Sequence, residues 1–274
     1  MIRLTALAAV LILAGWTDGA YSAVAVADRG RLWLDRVVPF AICEAAEGRT
    51  SRGCDQDGMA LAGAEAAKVR DAVAQWNGMF GDRLRFVPVD SLPRSRRGVL
   101  FSQSNRDTIC STDRIGRPRT ARRTNVTLGA RCNGFAGVDT PVGTILHEMM
   151  HVAGFYHEQQ RPDRDAFIRA RVPSGLVSVL FDIGGATQWV KAGRKRMRLL
   201  GPYDFRSIMH YPIRNPKKAE LTLEGRQRLE EQGLRLTDPG RRDTMSPGDI
   251  AAIRLLYGPG APPEAFAMTE REAP

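Results

Sequence analysis

Three of the chain's four histidines, His147, His151 and His157, fall within eleven consecutive residues, and Glu148 stands beside the first of them. Imidazole nitrogens suit zinc and its neighbours in the transition series, and a carboxylate next to them can take a proton from a polarised water. At about 100° per residue on a helix, His151 stands about 40° round from His147 and one turn along, so both rings project to one side. Glu148 then lies beside the ligand face, placed for general-base work rather than as a third ligand. Gly154 ends the helix by admitting the left-handed backbone, and the chain turns back so that His157 closes the site from outside. A structural zinc is closed by four protein ligands; three histidines leave a fourth position open for water, whose ionisation the uncompensated metal charge favours.

The helix carrying the first two histidines must be held rigidly. Ile145, Met149 and Val152 fall at roughly 140° to 200° from His147 and bury its far side. This helix is expected over Pro141 to Ala153, with Asp139 or Thr140 as N-cap. A clearer helix runs from Ala62 to Phe80, where Ala62, Ala66, Val69, Val73, Trp76 and Phe80 recur at steps of four and three. A third runs from Pro247 to Tyr257, capped by Ser246. Leu32 to Ile42 reads as a strand, Leu84 to Val89, Val99 to Ser102 and Asn125 to Leu128 read as strands of one sheet, and 48–58 reads as a polar loop. The triplet Asn125-Val126-Thr127 has the form of a glycosylation sequon inside an expected strand.

The chain has 274 residues, 43% hydrophobic and 26% charged, enough for one sizeable core, with two lobes around a cleft as an acceptable variant. Met1 to Ala27 reads as a secretory signal peptide: Arg3, an apolar run from Leu4 to Trp16 too short to span a bilayer, then the small residues Ala23, Ala25 and Ala27. The mature domain is expected over 28–258 and a disordered tail over 259–274. Cys43, Cys54, Cys110 and Cys132 form an even set in an exported chain, which points to disulfides. Three pairings are formally possible, and the two that close the shortest loops, Cys43 with Cys54 and Cys110 with Cys132, are favoured. A four-cysteine zinc site is disfavoured because no C-x-x-C pair occurs. Lys and Arg number 40 against 30 Asp and Glu. The excess is scattered, without interleaved aromatics or a DNA-binding motif, so it reads as solvated surface with some affinity for anionic polymers, not as a nucleic-acid site.

The extended pattern H-E-x-x-H-x-x-G-x-x-H is the metzincin signature, which expects a downstream Met-turn; Ser207-Ile208-Met209-His210-Tyr211 supplies one. The run from His147 through Arg161-Pro162-Asp163-Arg164-Asp165, the stretch Tyr203-Asp204-Phe205-Arg206 leading into the turn, and the ending Met245-Ser246-Pro247-Gly248-Asp249-Ile250 to Leu256-Tyr257 together resemble the astacin family. The resemblance extends from about Leu32 to Tyr257. It implies an α+β, metzincin-type two-lobed catalytic domain: a twisted, mostly parallel sheet and the active-site helix in the N-terminal lobe, an irregular C-terminal lobe with a terminal helix. It implies one catalytic zinc ion, Met209 as the hydrophobic floor beneath it, and Tyr211 as a movable fifth ligand that stabilises the oxyanion. His210 would be structural, and Glu158 the buried carboxylate that pairs with the mature N-terminus or its solvent network. Cys110–Cys132 matches the family's bridge beside the active-site helix. Two departures stand out: Gly258 and Pro259 occupy the place of the family's terminal cysteine, and there is little room for an inhibitory propeptide.

These implications amount to a secreted zinc endopeptidase, extracellular or periplasmic, acting as a monomer on proteins or peptides without a membrane span. Arg214, Lys217 and Lys218, following the Met-turn, suggest a preference for acidic residues just after the cut. The competing expectation is a catalytically silent module that binds extracellular or envelope polymers.

Overall fold

The computed structural model describes residues 22–46, 49–52, 54, 59–132, 141–171, 188–191, 197–213, 215–216 and 218–258. The first strand, β1 (Ala23–Val26), is buried throughout. A single 3-10 turn, capped by the Asp28 carboxylate, follows at Arg29–Arg31. Leu32 and Trp33 are buried, yet they precede the second strand: Arg36 adopts a positive φ of 59°, and the strand begins only beyond it, as β2 (Val37–Ile42).

A short hairpin, β3 (Glu44–Ala46) with β4 (Arg49–Arg52), leads into the predicted polar loop and takes up its first residues, and a disulfide joins Cys43 to Cys54 across it. Helix α1 (Gly63–Phe80) buries Ala66, Val69, Ala72, Val73, Trp76 and Phe80. After it come β5 (Arg85–Pro88), β6 (Gly98–Gln103), the two-residue β7 (Ser111–Thr112) and β8 (Arg123–Leu128). They form a five-stranded sheet in the order β5-β2-β6-β8-β7, parallel except for β7, which runs antiparallel along the open edge. Helix α1 is fastened to this sheet by polar as well as apolar contacts: the Trp76 indole donates to the Leu84 carbonyl, and the Asn77 amide exchanges two hydrogen bonds with Phe86. Phe40 packs edge-on against Phe86 and Phe101, a favoured aromatic geometry.

Helix α2 (Val142–Val152) lies between α1 and the edge of the sheet. It starts at Pro141 with no side-chain cap; Asp139 and Thr140, the expected caps, lie outside the described residues. All its residues from Gly143 to Val152 are buried, so it is a core helix rather than an amphipathic surface one. The C-terminal lobe has its own smaller core around Ile168, Trp189, Tyr203, Phe205, Ile213 and Leu229. Around that core run β9 (Ile168–Ala170), β11 (Ala219–Leu221) and α3 (Leu223–Glu231), whereas β10 (Met197–Leu200) and α4 (Pro247–Leu256) pack Leu200, Ala252, Ile253 and Leu256 into the main core, α4 opening with a capping box of Ser246 and Asp249. Two small antiparallel pairs, β1 with β10 and β9 with β11, complete the strands. The second disulfide joins Cys110 to Cys132.

Strand β1 falls inside the expected leader. Its four side chains are buried, it pairs with β10, and cleavage after Ala27 would take it away. Among the described residues no helix is long and apolar enough to cross a membrane. The expected tail, 259–274, lies outside them.

Candidate active site

Helix α2 delivers His147, Glu148 and His151, and its end is tied down group by group. The last carbonyls of a helix lack partners within it. Here the His151 carbonyl accepts from Gly116 N–H, Val152 from the Trp33 indole, and Ala153 from the Tyr257 hydroxyl. Gly154 then turns the chain at φ 105°. Strand β1 holds the turn: Val26 donates to the Gly154 carbonyl and Tyr156 to that of Val24, both at 2.8 Å. Just beyond, His157 returns to the helix.

The three rings converge. Nε2 of His157 lies 3.2 Å from Nε2 of His147 and 3.0 Å from Nε2 of His151. Nδ1–H of His147 donates to the Ile208 carbonyl at 2.7 Å, and Nδ1–H of His151 to that of Phe155 at 2.8 Å. Those bonds fix the tautomer, leaving the Nε2 of both rings as lone-pair acceptors aimed at a common point. A cation at that point would be shared by all three rings. Ligands about 2.0–2.1 Å from a tetrahedral centre stand about 3.3 Å apart, close to the spacing found. All three imidazoles are held below their ordinary range, His147 and His157 well below it; burial is the largest cause, and the charge of Arg242 acts in the same direction at each. They are thus neutral and fit to bind a metal, and the donor set matches zinc.

Glu148 is 2% exposed and does not join the cluster of ligand atoms. Its Oε2 accepts a 2.7 Å hydrogen bond from the hydroxyl of Thr112, on the edge strand β7. The Met-turn approaches from the other lobe. Asp249 of α4 holds it, accepting from the Ser207 hydroxyl at 2.7 Å and from Ile208 N–H at 2.9 Å, so that the Ile208 carbonyl meets His147. Burial pushes the Asp249 carboxyl up to about 6, against these bonds. Met209 is buried and its carbonyl accepts from Glu158 N–H, fastening the turn to the segment just past His157.

His210 bonds the Tyr203 hydroxyl through Nε2 and the Tyr211 carbonyl through Nδ1, away from the triad. The Tyr211 ring packs against His157 with centroids 4.5 Å apart. Glu158 is fully buried; its Oε1 accepts from Arg161 at 3.2 Å and from Asp204 N–H at 3.0 Å. Burial, partly offset by Arg161, raises this carboxyl to about 8.

Thr112 and Arg242 complete the surroundings, and no feature of the sequence marks either. Thr112 carries no motif and reaches Glu148 only because the sheet places β7 beside α2. The Arg242 guanidinium lies over the Tyr211 ring, 5.6 Å from its centroid. Its signal is lost among 40 basic residues. Arg214 and Lys217 lie outside the described residues, and Lys218 is exposed.

A family model described as Astacin, a peptidase family, matches residues 59–258. Among individual relatives, the zinc metalloproteinase nas-39 of Caenorhabditis elegans is 27% identical over 88% of this chain, and bone morphogenetic protein 1 of Xenopus laevis 28% identical over 83%. The chain spans 22% and 27% of the length of those two proteins. Among solved structures, high choriolytic enzyme 1, a hatching-enzyme zinc protease from Oryzias latipes, superposes with a TM-score of 0.52 at 23% identity, over 81% of this chain and 88% of its own. That likeness is one of fold, and it is the mixed, mainly parallel sheet with two lobes described above. Since the family model covers more than half of the sequence, the chain belongs to the astacin family of peptidases.

Proposed function

We propose that this chain is an exported zinc endopeptidase that hydrolyses peptide bonds with Glu148 as general base. The observation that carries the reading is the convergence of three neutral histidines, two of them with the tautomer fixed, beside a carboxylate that is itself held by a hydroxyl. Bound zinc would polarise the scissile carbonyl and acidify water. Glu148 takes the proton of the attacking water and returns it to the leaving amine. The Tyr211 hydroxyl donates to the developing oxyanion, its ring steadied between His157 and Arg242. Met209 forms the apolar floor of the site.

The preference for an acidic residue after the cut is assigned to Arg242, the cation beside the triad, with Lys218 as a peripheral contributor. Export is supported by the two disulfides. Cleavage of the leader then falls before Ala23, since β1 braces the turn that carries His157.

Replacing Glu148 by Gln tests the whole reading. Hydrolysis of casein should fall by about 10²-fold or more while the protein keeps one zinc per chain. A silent binding module would show no hydrolysis to lose, and chelation would change nothing.

A further inference from the structure

In the sheet lobe lies a cavity of about 590 Å³ lined by Arg94, Ser95, Arg114, Arg122, Arg123 and Asn125, and by none of the three histidines. From position 94 to 123 the sequence has nine arginines, two aspartates and neither lysine nor glutamate. Two arginine-rich loops from this stretch are stitched together by backbone carbonyls: Arg123 N–H donates to Arg94 and the Arg97 guanidinium to Arg119. The fold thereby gathers like charges around one hollow, an arrangement that repels itself unless an anion is bound.

Arg123 is buried and fixed, donating through Nε to Asn125 at 2.8 Å and through an NH group to the Leu92 carbonyl at 3.1 Å. Asn125 is fixed in turn by Asp113, which accepts from its backbone and its amide, both at 3.0 Å. That occupies the Asp113 carboxylate. Arg114 comes no closer to it than 3.7 Å, and the buried Nε of Arg114 has no hydrogen-bond partner. A planar fork of N–H donors matches the oxygens of a phosphate or sulfate group better than a lysine point charge does. The hollow exceeds a bare ion and accommodates such a group with part of what carries it. The one aromatic residue in the stretch, Phe101, is buried in the core, so nothing is offered for stacking nucleobases.

We propose that this cavity is a binding site for phosphate or sulfate groups, presented on an anionic polymer or as the free ion. The inference is independent of the peptidase reading. Arg114 follows Thr112 by two residues, so the occupied site would hold its ligand near the end of the edge strand that touches Glu148.

Calorimetric titration of the full chain with heparin, a sulfated polysaccharide, and with inorganic phosphate tests this. The triple variant Arg94→Gln, Arg114→Gln, Arg122→Gln should weaken heparin binding by at least about tenfold. Arg226→Gln, Arg235→Gln, Arg254→Gln together remove the same charge elsewhere and should change it by less than about threefold. A thermal midpoint and far-UV circular dichroism unchanged in both report intact folding. On the wild-type chain, phosphate should displace heparin better than chloride at equal ionic strength. Tighter binding of heparin than of phosphate assigns the site to a polymer; equal binding assigns it to the small ion. Equal losses in the two triple variants, or equal displacement by phosphate and chloride, would overturn the proposal, because net charge alone would then account for binding.

Discussion

A threonine hydroxyl has one proton to give, and that of Thr112 lies 2.7 Å from a carboxylate oxygen of Glu148 and 3.3 Å from the Glu148 backbone carbonyl. The shorter contact, to the charged acceptor, takes the proton. Thr112 therefore orients the carboxylate proposed as general base. Thr112→Val keeps the shape and removes the donor; kcat should fall about tenfold with KM within about twofold, and Thr112→Ser should restore it. Equal activity in the valine variant would dismiss the role. Arg242 is the residue to which the proposed acidic preference is assigned. In a peptide-library profile the wild type should enrich Asp and Glu just after the cut, and Arg242→Gln should reduce that discrimination by about tenfold in kcat/KM. Unchanged enrichment would move the preference to another cation, and none in the wild type would end it.

At the scale of elements, what is legible in the sequence is local. The spacing of His147, His151, Gly154 and His157 announces a helix, its end and its return, and the period of Ala66, Val69, Val73, Trp76 and Phe80 announces α1. Partners set by pairing across the chain are not legible: β1 resembles a processing site because Ala-Val-Ala-Val satisfies both a peptidase and a buried strand. Helix α3 buries only Gly225 and Leu229, too few for an apolar stripe. Gly154 joins the two kinds of information. Its φ of 105° is strained for any other residue, and an added Cβ would meet a Val26 methyl at 3.1 Å. Gly154→Ala should destabilise by roughly 1–3 kcal/mol and, by shifting His157 against β1, release zinc faster on dialysis against a chelator. A destabilised variant that holds zinc as firmly as wild type would show that the turn does not set the ligand.

For the molecule as a whole, the buried titratable groups at the junction of the lobes oppose one another in their response to pH. Glu158 is pushed up to about 8 and Asp249 to about 6, chiefly by burial. The folded chain therefore holds protons that the unfolded chain has released, and stability declines as pH rises from about 4.5 through 8. The four histidines work the other way. Burial lowers all of them, His210 to about 4, so the unfolded chain binds more protons below 6.5 and stability declines as pH falls through that range. The metal-free protein should consequently show its highest thermal midpoint near neutrality, at about pH 7, where the protons released by the unfolded histidines balance those held by the folded carboxyls. Glu158→Gln isolates the alkaline limb: a glutamine, like the protonated Glu158, leaves Arg161 to its ion pair with Asp163, and the decline above pH 7 should flatten while the acid limb stays. A variant with the wild-type slope above pH 7 would mean that Glu158 is already ionised in the folded chain, its charge carried by Arg161 and the Asp204 N–H in spite of burial.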